Sequence, residues 1–356
     1  MPDIQIVNCH VHTFTGLHTP KDYPSRWLRL FRKVPGLIRF TAWLARFFAR
    51  YETADMLDRL YRFQQETDRP EQAELLASVA RYYPSNTRFV VLPMDLAGIG
   101  YGDVPASLRE QHDELNRLHI ARPETVVPFA TVNPLNPGSV DESLRALNEL
   151  KFRGLKIYPR LGYAPDHPAL MERVYPEVQA LDLPVMSHCS RGGVRGKNVS
   201  HYTGDRLTEP EAYLPVMKAF PGLRICLAHF GGEMDWRAYA QGEPPRSGSN
   251  WQVKIRKMIG CGEWPGLWTD ISYTLFHFDD YIPYLRLFLL ADDEEGARLR
   301  DRVLFGSDFY MTRRQELSER DICFRLRNAL GEEVFRKIAE ENPVRWLEGD
   351  RPRDAT

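Results

Sequence analysis

Short apolar runs and longer amphipathic ones alternate along the chain. Eight runs read as strands buried on both faces: residues 4–11, 87–94, 125–132, 154–158, 183–187, 223–228, 267–271 and 302–306. Between them, apolar positions recur at helical spacing over 70–83, 106–121, 139–151, 169–180, 209–220 and 281–290. Several of these segments open on a helix-start signal, such as Pro70 ahead of Glu71, or Ser139 ahead of Asp141 and Glu142. Eight strand–helix units predict an α/β protein, a closed (β/α)8 TIM barrel forming one domain over 1–356; an open doubly wound sheet is the alternative. No GxGxxG or GxxxxGK[ST] run follows any strand, so a Rossmann or P-loop phosphate cradle is not predicted.

The alternation breaks once. Residues 13–69 separate the first strand from its helix, far beyond an ordinary βα loop. Within this stretch, 25–50 interleaves Arg and Lys with Trp27, Leu30, Phe31, Trp43, Phe47 and Phe48, and 21–50 carries eight basic side chains against one acidic one, Asp22. The pattern predicts a long helical insertion after strand 1. It serves as a lid over the barrel mouth, as a contact between copies in a homo-oligomer, or as a basic amphipathic helix on a membrane surface.

Composition narrows the setting. Lys plus Arg number 47 and Asp plus Glu 48, a formal charge of −1, which gives no global attraction to nucleic acid. No stretch approaches the about 18 apolar residues of a spanning helix. The opening MPDIQIVNCHVH lacks the basic-then-apolar order of a secretory leader. Five scattered cysteines without CxxC spacing suit a reducing compartment, so a cytoplasmic location is expected.

Polar residues at the strand ends change the picture further. His10 and His12 close the first strand in NCHVH, and a spacing of two puts both imidazoles on one strand face, with Cys9 and Val11 turned to the helices. His188 ends the fifth strand in LPVMSHC, His229 the sixth in LRICLAHFGG, and Asp308 the eighth in VLFGSDF. Any one alone reads equally as a buried histidine on a carbonyl or a capping aspartate. Together, at the carboxyl ends where barrel enzymes collect their catalytic groups, they predict a site for a divalent metal, Zn2+ first, with Mn2+ or Fe2+ also suited to such donors. Beyond the strand ends, Tyr158, Arg160 and Tyr163 follow Lys156, and Arg191 and Arg195 follow His188 in the Gly-rich SRGGVRGKN. These residues, with Tyr273, are predicted to bind a small, anionic substrate. Asp270, His277 and Tyr310 rank lower. His18, His112, His119 and His167 read as ordinary surface residues, and Cys189 and Cys226 as small buried side chains facing outward.

The motifs NCHVH, FRGLKIYPRLGYAP, LPVMSHCS, LAHFGG, LFGSDF and ENPVRWL span positions 8 to 347. In this combination the chain resembles the amidohydrolase superfamily, and more closely its amidohydrolase-2 branch of metal-dependent TIM-barrel hydrolases and decarboxylases. The resemblance implies that His10, His12 and Asp308 bind a primary metal and that His188 binds this metal or a second one. Asp308 would also take the proton of the activated water. His229 would be a ligand or an acid/base group, and Lys156 either a carboxylated bridge between two metals or an ammonium paired with an anion. Asn8 departs from the Asp that many relatives carry there. The implied activity is hydrolysis of an amide, lactone or related C–N or C–O bond by a metal-activated water. The alternatives are non-oxidative decarboxylation of an aromatic or enoic acid, and a barrel without catalysis that serves as a binding protein.

Overall fold

The computed structural model describes residues 4–23, 68–244, 248–273, 278–309 and 319–349. The predicted 25–50 helix, with most of the 13–69 insertion, and the residues His277 and Tyr310 lie outside them. All eight predicted strands are present and shorter than their apolar runs: β1 Val7–Val11, β2 Arg88–Val91, β3 Val126–Pro128 with β4 Ala130–Val132, β5 Leu155–Ile157, β6 Val185–Ser187, β7 Ile225–Leu227, β8 Leu267–Asp270 and β9 Val303–Leu304. The third run is divided because its two halves pair in opposite directions around the ring, β3 with β2 and β4 with β5. Every pairing is parallel, in the orders β1-β2-β3 and β4-β5-β6-β7-β8-β9. At the seam, Cys9 N donates to Phe305 O at 2.9 Å, Asp308 N donates to His10 O at 2.9 Å, and Val11 bridges Phe309 in parallel. These contacts join the first strand to the last and close a (β/α)8 barrel.

Two apolar clusters follow from this closure. The larger one packs the outward strand residues, such as Phe89, Leu155, Val185, Ile225 and Val303, against the helices. The smaller one takes Val7, Cys9, Val90, Leu92, Val127, Phe129, Met186, Cys226, Ala228, Trp268 and Leu304 from the strands. Trp346 and Leu347 of the last helix, Asn342–Glu348, join it from below. This is the barrel interior, and it corrects the expectation for two cysteines. Cys9 faces inward because a register irregularity between Asn8 and Val11 breaks simple alternation. Cys226 faces inward, level with Met186 and Trp268, because the alternation counted back from His229 fails: His229 has φ 68°. Cys189 belongs to the outer cluster, as expected.

The helices Gln72–Ala80, Leu108–Ala121 and Ser139–Asn148 fall within their predicted segments. The 169–180 segment starts as a π turn, Leu170–Val174, before helix Tyr175–Ala180. The 209–220 segment starts as a 3-10 turn, Pro210–Tyr213, before Leu214–Ala219. In both, a proline at the start of the second piece removes an N–H and alters the preceding turn. His18 and His112 are buried, contrary to expectation. The His18 ring accepts from Thr15 N at 3.0 Å, while His112 contacts Glu142 Oε1 at 3.0 Å and accepts from Thr131 N at 3.2 Å. Among the described residues, no helix is long and apolar enough to cross a membrane.

Candidate metal centre

His10 and His12 point into the mouth from β1, each with one ring nitrogen already spoken for. His12 Nδ1 lies 2.8 Å from Leu92 O. A carbonyl only accepts, so Nδ1 carries the proton and Nε2 keeps its lone pair. That Nε2 is 3.2 Å from Asp308 Oδ1. His10 Nδ1 lies 2.8 Å from Asp270 Oδ2, which turns His10 Nε2 toward Asp308 Oδ1 at 3.5 Å and Lys156 Nζ at 3.4 Å. Asp308 reaches this position through a left-handed backbone, φ 58°, directly after Ser307. Gly306 allows the close approach, since a Cβ there would sit 2.8 Å from His10 Cβ. The donor atoms of His10, His12 and Asp308 all lie within 4.8 Å of one another, and those of His10, His229 and Asp270 form a second such group.

Asp270, at the end of β8, organises the second group. It is fully buried, and its Oδ1 accepts from His229 N at 2.8 Å, from Ser272 N at 3.0 Å and from the Ser272 hydroxyl. It carries the same sequence signal as Asp308, a polar side chain at the end of an apolar strand. His229 Nδ1 contacts Ser272 Oγ at 2.9 Å, and His229 Nε2 contacts His188 Nδ1 at 3.2 Å. His188 is therefore joined to the centre through His229 and falls in neither donor group. Tyr158 stacks on the His188 ring at 4.1 Å and 13°, and Gly193 makes room for both, since a Cβ there would lie 2.3 Å from the Tyr158 hydroxyl oxygen.

The protonation states suit a cation. Burial, reinforced by the Lys156 ammonium, pushes His10 well below the usual imidazole range, with Asp308 opposing. Burial and then the neighbouring His229 do the same for His188. His229 is lowered by burial against the pull of Asp308 and Asp270. For Asp308, burial alone would raise the carboxyl, but the His12 bond and the nearby His10 and His229 outweigh it and hold it at about 2. Neutral imidazoles beside an ionised carboxylate are the donor set of a divalent metal site, so the residues fit such an ion. Lys156, wholly buried on β5, is lowered to about 8 by burial, with Asp308 and Asp270 opposing.

The predicted substrate residues are placed as follows. Arg160 is buried, paired with Asp205 and 3.3 Å from His201 Nδ1. Arg191 Nε donates to Asp235 Oδ2 at 2.8 Å and its guanidinium covers the Trp251 ring at 4.4 Å. Arg195 donates to the carbonyl of Val199 in its own loop. Tyr158 accepts from Val194 N at 3.2 Å, and Tyr163 donates to Val132 O at 3.1 Å. Tyr273, at φ 61°, sets its ring 6.3 Å from that of His229.

The family model described as Amidohydrolase matches residues 7–349. No curated protein matches. Among solved structures, the chain is similar to 5-carboxyvanillate decarboxylase from Sphingomonas paucimobilis, at 15% identity over 97% of this chain and 99% of that one, with a TM-score of 0.56. A probable 2-pyrone-4,6-dicarboxylic acid hydrolase from Acinetobacter baumannii, with citric acid bound, is similar at 13% identity over 97% and 99%, TM-score 0.56. 5-Carboxyvanillate decarboxylase from Novosphingobium aromaticivorans, with bound manganese, is similar at 12% identity over 97% and 97%, TM-score 0.51. At such identities the likeness is one of fold.

Proposed function

The chain belongs to the amidohydrolase family, and from that premise we propose that it is a metal-dependent hydrolase cleaving an amide, lactone or related C–N or C–O bond of a small anionic molecule. One observation carries this reading. His10 Nε2, His12 Nε2 and Asp308 Oδ1 converge, while the other nitrogen of each ring is fixed by Asp270 or Leu92 O. These three side chains would hold the ion, zinc first and manganese or iron next by donor type. When bound, a divalent cation polarises the electrophile and makes water a better nucleophile at neutral pH.

The chain's own groups do the rest. Asp308, held ionised, accepts the proton of the attacking water and passes it to the leaving group. His229, its Nδ1 proton committed to Ser272 Oγ because the Ser272 hydroxyl donates to Asp270, keeps a lone pair on Nε2 and serves as a second proton acceptor at the centre. Lys156 supplies the buried positive charge at the centre; Arg160 and Arg191 are committed to Asp205 and Asp235. The ammonium therefore takes the substrate anion in this reading, with Tyr158 and Tyr273 as walls and Arg195 at the rim.

Lys156 also favours the second reading, decarboxylation. An ammonium 3.4 Å from His10 Nε2 would hold a substrate carboxylate and return a proton to carbon after CO2 leaves. A barrel kept only for binding is disfavoured by the cost of burying such donors without a cation. Metal analysis of purified protein tests the first claim: about one or two equivalents per chain are expected, with His12→Ala lowering retention. An enzyme fully active after exhaustive chelation would sink both catalytic readings. Released CO2 separates the second reading from the first.

A further inference from the structure

Away from the mouth, a cleft of about 350 Å³ opens between the end of helix Gln72–Ala80 and helix Glu319–Leu330, over the lead-in to β1. This volume lies within the range of small-ligand sites. Its surface is part apolar, with Ile6 buried in the wall and Phe324 exposed to 62% at the rim. Its charges are of one sign: Arg81, Arg320 and Arg327 line it, and none of the lining residues is acidic. Arg327 is matched by Glu332. Arg81 donates to the Tyr82 hydroxyl at 2.7 Å, and the Arg320 guanidinium lies 5.8 Å from the Phe324 ring; among the described residues neither forms an ion pair. Tyr83 also lines the cleft, but its hydroxyl already donates to Glu319 at 2.7 Å and accepts from Asn8 at 3.0 Å. The guanidiniums in the lining without an acidic partner are those of Arg81 and Arg320.

We propose that this cleft binds a small carboxylate with an apolar body, the body lying on Ile6 and Phe324 and the carboxylate meeting Arg81 and Arg320. Two guanidiniums beside an apolar surface, without a counter-charge, suit an anion that brings its own hydrocarbon, because the paired charges and the buried area act together. The site shares no residue with the metal centre, so its failure would leave the catalytic reading untouched.

Calorimetric titration of the full chain with octanoate tests the proposal. Saturable binding is expected, weakened at least about tenfold in Arg81→Gln/Arg320→Gln, with uncharged octanol binding as poorly as octanoate does to that variant. Both arginines are exposed, so the double variant keeps its fold, which matching thermal melts verify. Octanoate that does not saturate the wild type, or that binds the double variant equally well, overturns the proposal; the latter result would place it at the metal mouth. A dimer in sedimentation that Phe324→Asp dissolves, with no octanoate bound, would give the cleft to a second copy of the chain and overturn it too.

Discussion

Asp270 shows how one side chain sets the chemistry of its neighbours. Its two oxygens divide the work, one turning the His10 ring and the other holding the backbone of His229 and both polar groups of Ser272. Replacing it by Asn keeps the volume and removes the charge that fixes the His10 tautomer. Carboxylates behind metal-binding histidines typically contribute 10- to 100-fold in affinity. Asp270→Asn should therefore weaken metal binding by about 10- to 100-fold in a chelator competition while leaving the circular dichroism spectrum intact. Unchanged affinity would reduce Asp270 to a packing role. The residue is legible in the sequence by the same criterion as Asp308, a polar group ending an apolar run. The sequence does not reveal its importance, because its partners, His10 and Ser272 among them, depend on tertiary placement, which spacing cannot supply.

At the level of strands and turns, the apolar runs locate every barrel strand, because a strand buried on both faces leaves little room for polar residues. What they do not reveal is where alternation fails. Four such places shape the molecule: the irregularity between Asn8 and Val11, the left-handed backbone at His229 and again at Asp308, and the division of the third strand at Phe129. Left-handed non-glycine residues at the strand ends aim side chains that regular strands would turn away, and such conformations concentrate at functional sites. The third-strand division has a steric partner. Phe129 lies inside the barrel, its ring centroid 5.5 Å from that of Trp346, and a Cβ on Gly154 would fall 2.3 Å from the Phe129 ring. Gly154→Ala should thus drive the ring into a filled interior and cost about 1–3 kcal/mol, seen as a lower melting temperature with the metal affinity kept. A melting temperature equal to that of the parent would show that the Phe129 ring has somewhere else to go.

Taken as a whole, the molecule sews its two ends together, since β1 and the segment after β9 supply the primary donor triad across a seam of backbone bonds. That convergence was legible because both ends carry polar residues just past apolar runs. The chain buries several histidines in the process, which makes its stability depend on pH. His18 is lowered to about 4 by burial against Glu110, and His10, His188 and His229 are lowered mainly by burial. His10 faces the carboxylates of Asp270 and Asp308 as well as Lys156, His229 and His12, yet burial and Lys156 outweigh the carboxylates; His188 faces His229, Lys156 and Arg160. Each of these rings binds its proton less readily folded than unfolded. Below the ordinary imidazole value of about 6.5, the unfolded chain takes up protons that the native state refuses, and stability falls by up to about 1.4 kcal/mol per pH unit for each histidine. Asp95 and Asp235, raised by burial, act in the opposite direction, two groups against four. Chelator-treated protein should therefore melt at progressively lower temperature as the pH is taken from 7 to 5. Metal-loaded protein should fall more steeply, because protons then compete with the ion for the same nitrogens. A flat melting temperature across that range would mean that His10, His18, His188 and His229 are open to solvent in solution, and with that the dry, neutral donor set would be lost.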